Sequence, residues 1–194
     1  MKFKNLIATA MASLSLTAFA TDTIIGEGGT LYDLPRNATS MSSHAVGYVH
    51  SFDKNWSAYG AAIFMRDTAA GTSYSDNLEL GSTYSLPVTK YVSINTTLTL
   101  GQKSIPNAQF TYWAAEPAVR VDIGNVYAFV GYRFRQAVDS SQYEFYTTQT
   151  VKSTVGYKLP QGFSVYYRHE DVVDGSTASG KQGRANYIGL TKTF

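Results

Sequence analysis

The side chains of this chain that could do chemistry are mostly charged, and they fall at alternate positions. Glu116, Arg120 and Asp122 share one parity, as do Arg133 and Arg135, Lys152 and Lys158, and Arg168 and Glu170; Glu79 and Glu144 stand in similar settings. Alternate residues of an extended strand share a face. The spacing therefore predicts strands with ions on one side and Val, Leu, Phe and Tyr on the other. Ions placed in this way can pair and hold a structure together, offer a basic stripe to anions, or activate a histidine.

The elements that must position them read as strands. Val92, Ile94, Thr96, Leu98 and Leu100 alternate with Tyr91, Ser93, Asn95, Thr97 and Thr99, and similar runs recur at 22–33, 44–52, 55–66, 77–86, 91–101, 109–123, 126–136, 142–159, 163–171 and 183–194. Strands near ten residues with alternating polarity are the length and pattern of membrane-crossing strands. After the first twenty residues no run approaches the ~20 apolar residues of a spanning helix. The joints at 53–55, 87–90, 124–125 and 160–162 are tight, whereas 34–43, 67–76, 102–108, 137–141 and 172–182 are longer and rich in Ser, Thr, Ala, Asp and Gly. Short and long connections alternate, the habit of outer-membrane barrels with tight periplasmic turns and longer outer loops. The expected fold is all-β: a transmembrane antiparallel up-and-down barrel of ten strands, with eight or twelve as alternatives.

The first twenty residues belong to another process. Lys2 and Lys4 precede an apolar run, and Ala18-Phe19-Ala20 supplies a small-x-small cleavage pattern, so residues 1–20 read as an export signal with Thr21 as the mature N-terminus and 21–194 as the barrel. Without Lys2 and Lys4 the formal charge falls from +2 to zero, which removes any overall electrostatic pull toward nucleic acid. The chain has no cysteine, which excludes disulfides, thiolate metal sites and a lipidated N-terminus.

Pairing across the tight turns sorts the faces. A two-residue turn at Gly124-Asn125 puts Val121 opposite Ala128, Val119 opposite Val130, Pro117 opposite Tyr132 and Ala115 opposite Phe134, all facing out. It sets Asp122 opposite Tyr127, Ala118 opposite Gly131 and Glu116 opposite Arg133, facing in. A three-residue turn at 160–162 pairs Tyr157 with Val165 and Val155 with Tyr167 outside, and Lys152 with Glu170 and Thr154 with Arg168 inside. A one-residue slip would expose charges to lipid at ~2–4 kcal/mol for each Arg or Lys near the midplane. Phe52, Trp56, Tyr84, Phe163 and Phe194 then fall toward the turn end, and Phe134, Tyr143 and Tyr167 toward the loop end, as interfacial girdles. The faces of the 44–66 hairpin stay unassigned, because both are small and apolar.

The inward set comprises Glu79, Glu116, Arg120, Asp122, Arg133, Arg135, Glu144, Lys152, Lys158, Arg168 and Glu170. The first reading of it is a packed, charge-paired lumen, with Glu116–Arg133 and Lys152–Glu170 as partners and Glu144 reaching Arg133 or Arg135. The second is a narrow channel, in which Arg133, Arg135, Lys152 and Arg168 form a basic stripe for small anionic or polar solutes. The third is a hydrolase or protease at the rim, built on Ser42-Ser43-His44 or on His169-Glu170-Asp171, with His50 as the remaining histidine. No motif of omptins, lipid A deacylases or outer-membrane phospholipases is present. Neither paired histidines nor a calcium-type carboxylate loop occurs, so no metal or other cofactor is expected. Gly26-Glu27-Gly28-Gly29 lacks the lysine of a phosphate loop and reads as a flexible strand or bulge. Asn37-Ala38-Thr39 reads as loop.

Two resemblances follow from particular residues. The final strand, Tyr187-Ile188-Gly189-Leu190-Thr191-Lys192-Thr193-Phe194, sets Ile188, Leu190 and Phe194 on one face and resembles the C-terminal signature of small Gram-negative outer-membrane barrels; Lys192 departs from it. That resemblance implies the secretion translocon, periplasmic chaperones and the barrel-assembly machinery as transient partners, with outer-membrane lipids and lipopolysaccharide as surroundings. Gly131-Tyr132-Arg133-Phe134-Arg135 and Tyr166-Tyr167-Arg168-His169-Glu170 are similar to segments of the oligogalacturonate-specific porins. Those porins have twelve strands and line their channel with arginines for acidic sugars; this chain is shorter by about a hairpin, and its lumen carries enough acids to neutralise much of the basic stripe.

Overall fold

The computed structural model describes residues 21–33, 38–68, 71, 73–106, 108–138, 147–174 and 181–194; the predicted export signal, with Ala18 and Ala20, and Glu144 and Tyr143 lie outside them. Ten antiparallel strands close into one barrel in which each strand pairs with its neighbours in sequence and the last pairs with the first. They are β1 (Thr21–Asp33), β2 (Ala38–Ser51), β3 (Trp56–Asp67), β4 (Ser73–Pro87), β5 (Val92–Ile105), β6 (Ala108–Ile123), β7 (Val126–Ala137), β8 (Thr148–Lys158), β9 (Phe163–Asp174) and β10 (Lys181–Thr193).

Polarity sorts to the two faces as period-two strands require. Leu98 and Leu100 are about 60% exposed and Ile188 is 72% exposed, while the neighbouring Thr99, Gly101 and Gly189 are buried. An outer surface of this kind is stable in hydrocarbon and costly in water. In the hairpin whose faces the sequence leaves open, Val46, Trp56 and Phe64 turn outward. Ala45, Gly47, Val49, Tyr59, Ala61 and Ile63 line the interior.

The turns at one end carry local chemistry. Gly124 sits at φ +60°, as the first central residue of a type II′ turn requires. Asp53 Oδ1 accepts the backbone N–H groups of Asn55 at 2.6 Å and Trp56 at 2.8 Å. These bonds hold its carboxyl below the usual range, so the turn keeps this clamp until the solution is well into the acid range. Lys192 snorkels to the same end, where its ammonium bonds the Gln161 carbonyl and lies over the Phe163 ring at 4.5 Å.

At the other end several expectations change. β5 runs on to Ile105 and β6 begins at Ala108, so the expected 102–108 loop shrinks to two residues. Ala38 and Thr39 belong to β2 rather than to a loop. Thr- and Ser-rich segments still form ladders beyond the apolar belt, because both of their faces can stay wet. β1 keeps an unbroken register from Thr21 to Leu31 and shifts only between Leu31 and Tyr32, so its glycines do not form a bulge.

Those glycines have a different use. Gly101 is paired with Tyr112, and Gly189 with Tyr166, and a Cβ on either glycine would collide with the tyrosine ring opposite. The same arrangement joins Gly29 to Tyr187, Gly81 to Tyr59 and Gly156 to Tyr127. Each inward tyrosine lies down over the glycine of the next strand, which aims its hydroxyl along the wall. Replacing Gly101 by Val should lift Tyr112 from its seat and destabilise the barrel by about 1–3 kcal/mol. A thermal unfolding series in detergent would read this, and an unchanged midpoint would show that the seat is not needed.

Candidate functional site

The lumen holds a belt of ions assembled from nearly every strand. Glu79 on β4 accepts the Tyr112 hydroxyl at 2.5 Å and the Arg133 guanidinium at 2.8 Å on the same oxygen. Tyr59 bridges its other oxygen, at 3.4 Å, to Thr99 at 2.6 Å. On β8, Lys152 donates to Glu116 at 2.6 Å and lies 3.9 Å from Glu170. Arg168 on β9 contacts Glu27 at 2.6 Å and Glu170 at 3.0 Å, and stacks over the Tyr187 ring at 4.4 Å. Tyr166 donates to the second Glu27 oxygen at 2.7 Å. Among the described bonds of this belt, only β2 contributes no partner.

Most of these ions are largely withdrawn from solvent, with the side chains of Glu27 and Glu79 each 5% exposed. Such charges are tolerated only when paired and hydrogen-bonded. The tyrosines held by the glycine seats supply the extra donors.

The pairing differs from the simplest cross-strand reading. Glu116 and Arg133 fall opposite each other in the common register, but backbone pairing lapses there beside Pro117, which has no N–H to give. Arg133 on β7 instead reaches Glu79 on β4, and Glu116 takes Lys152. Lys152 and Glu170 are register partners, although the shorter bond of Lys152 goes to Glu116. Arg120 forms a separate cluster at the turn end: Asp122 accepts from it at 2.6 and 3.0 Å and from Lys158 at 2.6 Å, and the guanidinium lies over Tyr127.

Beside the belt runs a cavity of about 860 Å³. Its lining extends from Met41, Met65, Lys103 and Arg135 toward the loop end, past the ions, to Ile25, Val49, Thr83 and Thr97. The space exists because the wall formed by β2 and β3 is built from small residues such as Ala45, Gly47 and Ala61.

The histidines take no part in this site. His44 and His169 share the parity of the lipid-facing residues on β2 and β9, strands separated by β1 and β10, and Glu170 points inward, away from His169. His169 bonds Asn186 at 2.8 Å. His50 and Tyr48 both bond Asp22, at 2.7 and 2.6 Å, near the turn end. His169 Nε2 also lies 3.7 Å from Asp171, but the Ser42-Ser43-His44 and His169-Glu170-Asp171 groupings stand on strands separated by β1 and β10 and are not brought together.

A closed antiparallel barrel with an apolar outside and an ionic inside has solved counterparts. The KdgM porin superposes with a TM-score of 0.56 at 10% identity, covering 89% of this chain and 99% of that one. The two share a closed antiparallel barrel fold. A NanC porin (TM-score 0.54, 8% identity, 87% and 98% covered) and an outer-membrane channel from Pseudomonas putida F1 (0.59, 8%, 93% and 97%) share it. No protein-family model and no curated protein matches the sequence. At such identities the likeness is one of fold.

Within this barrel, two chemically important residues escape the sequence pattern. Glu27, hidden in a glycine-rich run that reads as flexible, is the carboxylate that holds Arg168 and Tyr166. Lys103, in a stretch that reads as loop, lies on β5 and turns inward. A period-two count carried through both stretches would have placed each on the inner face.

The belt makes a testable claim about its central pair. Arg133→Met should leave Glu79 buried beside two tyrosines without its counter-charge and cost about 3–5 kcal/mol. Adding Glu79→Gln should recover part of that loss, whereas adding Glu116→Gln should not. A double-mutant cycle by denaturant titration in detergent decides between the two partners.

Proposed function

We propose that this protein is an exported, integral outer-membrane barrel that forms a narrow passage for small polar and anionic solutes and performs no covalent chemistry. The cavity of about 860 Å³ alongside the ion belt carries this reading. A lumen serving only as a structural core would be filled by side chains, as small barrels usually are. Here the wall of β2 and β3 narrows to Ala45, Gly47 and Ala61 at the level of the ion belt, while the opposite wall carries the ions. The apolar outer belt supports residence in a bilayer, with the tight turns facing the periplasm. The outward row of Ile188, Leu190 and Phe194 on the closing strand supports recognition by the barrel-assembly machinery. Export through the translocon and escort by periplasmic chaperones follow from residues 1–20 acting as a cleaved signal.

The passage is only weakly basic. Arg133, Lys152 and Arg168 are neutralised by Glu79, Glu116, Glu27 and Glu170. The second reading, a closed structural lumen, draws on the same pairs, since each one also binds two parts of the wall together.

Purified barrel in planar bilayers should give small, stable conductance steps with modest anion preference. Liposomes containing it should swell in glycine or acetate but not in a disaccharide. Complete absence of conductance from protein that migrates faster unboiled than boiled would establish the closed lumen instead.

A further inference from the structure

The loop-end half of the cavity is divided into two chemically unlike arcs. On one side stand Leu31, Met41, Ile63, Met65 and Val172, all lining the cavity from β1, β2, β3 and β9. Register ties this arc together, with Leu31 opposite Met41 and Ser43 opposite Met65, and Val172 opposite Gly183 beside β1. On the other side are Lys103 and Arg135 with Asn77, Thr148 and Thr150. Lys103 is paired in register with Asn77, and Arg135 with Thr148.

The two cations differ from those of the belt. Lys103 is 7% exposed, and among the described residues it has neither an ion pair nor a hydrogen bond. Arg135 rests on the Tyr112 ring at 5.3 Å, has no carboxylate partner among the described residues, and keeps its Nε buried and unbonded. Asn77 Oδ1 is likewise buried without a partner. Buried cations without a directly paired carboxylate are costly, and an anion arriving between these two would reduce that cost. The guanidinium and ammonium together suit a carboxylate, which accepts several charge-assisted bonds at once.

The arc facing them selects what the carboxylate is attached to. An acidic sugar presents hydroxyls on every side, and against Leu31, Met41, Ile63 and Met65 those hydroxyls would lose their water without gaining bonds. An apolar body loses nothing there and gains burial. We propose that the loop-end chamber is a binding site for small organic acids with an apolar body, such as aromatic carboxylates, held by Lys103 and Arg135 at the charged end and by the Leu31–Met41–Met65 arc at the other. The inference deepens the passage reading above by naming the preferred solute, and it makes the chamber the first binding step on the way past the ion belt.

Benzoate, galacturonate and benzyl alcohol are the probes, applied to the folded barrel in detergent by titration calorimetry and to the bilayer-inserted barrel as blockers of ionic current. Benzoate should bind and block at least about tenfold better than galacturonate or benzyl alcohol, and Lys103→Met and Arg135→Met should each weaken it about tenfold, one charge-assisted contact's worth. Met65→Asp should weaken benzoate while leaving the barrel heat-modifiable. A barrel that conducts but binds galacturonate as well as benzoate, or whose benzoate affinity ignores both cation variants, overturns the proposal and leaves the passage standing. A barrel that binds benzoate with this dependence yet never conducts supports the site and overturns the passage. If a cation variant fails to fold, the comparison of the three probes on the unaltered barrel still decides.

Discussion

Hydrocarbon offers no partner for a backbone N–H or C=O, and that constraint organises the rest of this molecule. A sheet can meet it only by having no edge. β1 therefore pairs with β2 on one side and with β10 on the other, from Thr23 opposite Thr193 to Asp33 opposite Gly183. Once the sheet is closed, each strand has one face in lipid and one in the lumen, and the side chains must alternate accordingly. The same closure brings β1 beside β9 and β10, so Glu27 can reach Arg168 although 141 positions separate them in the chain.

Closure also sets how charge can be stored inside. The lumen is too narrow for many solvated ions and too wide to be filled by the small residues that predominate on β2 and β3. The solution is asymmetric. Carboxylates and cations pair along the arc from β4 through β9 to β1, braced by tyrosines that lie over glycines, and at that level the opposite arc presents the small residues Ala45, Gly47 and Ala61. The belt thus does two things at once. It ties non-adjacent strands together across the curve of the wall, and by drawing long side chains to one side it leaves the remaining space as a continuous cavity. Lys103 and Arg135, which have no directly paired carboxylate among the described residues, stand above this belt, so the electrostatic character of the cavity changes along its length.

Much of the wall was legible from the residues alone. Leu98 and Leu100 against Thr97 and Thr99, and Val119 opposite Val130, follow from a period of two and from tight turns that admit a single register. The turn residues Gly124 and Gly162 mark their own positions by adopting positive φ. The legibility failed where polarity stopped alternating. In β1 the glycines offered no side chain to read, and near 102–108 both faces are polar, so strand and loop look alike.

By itself the sequence determined the closed, alternating barrel, because the choice between lipid and lumen is made residue by residue and costs several kcal/mol when it is wrong. It could not determine which ions meet. A long side chain reaches past its register partner to residues two or three strands away, as Lys152 reaches Glu116 and Arg133 reaches Glu79, and such contacts exist only once the wall is curved. The pairing of Arg133 with Glu79 rather than Glu116, the ion-free arc of Ala45, Gly47 and Ala61, and the absence of a directly paired carboxylate on Lys103 and Arg135 among the described residues were therefore decided by the tertiary structure, through distances across a lumen that no local pattern encodes.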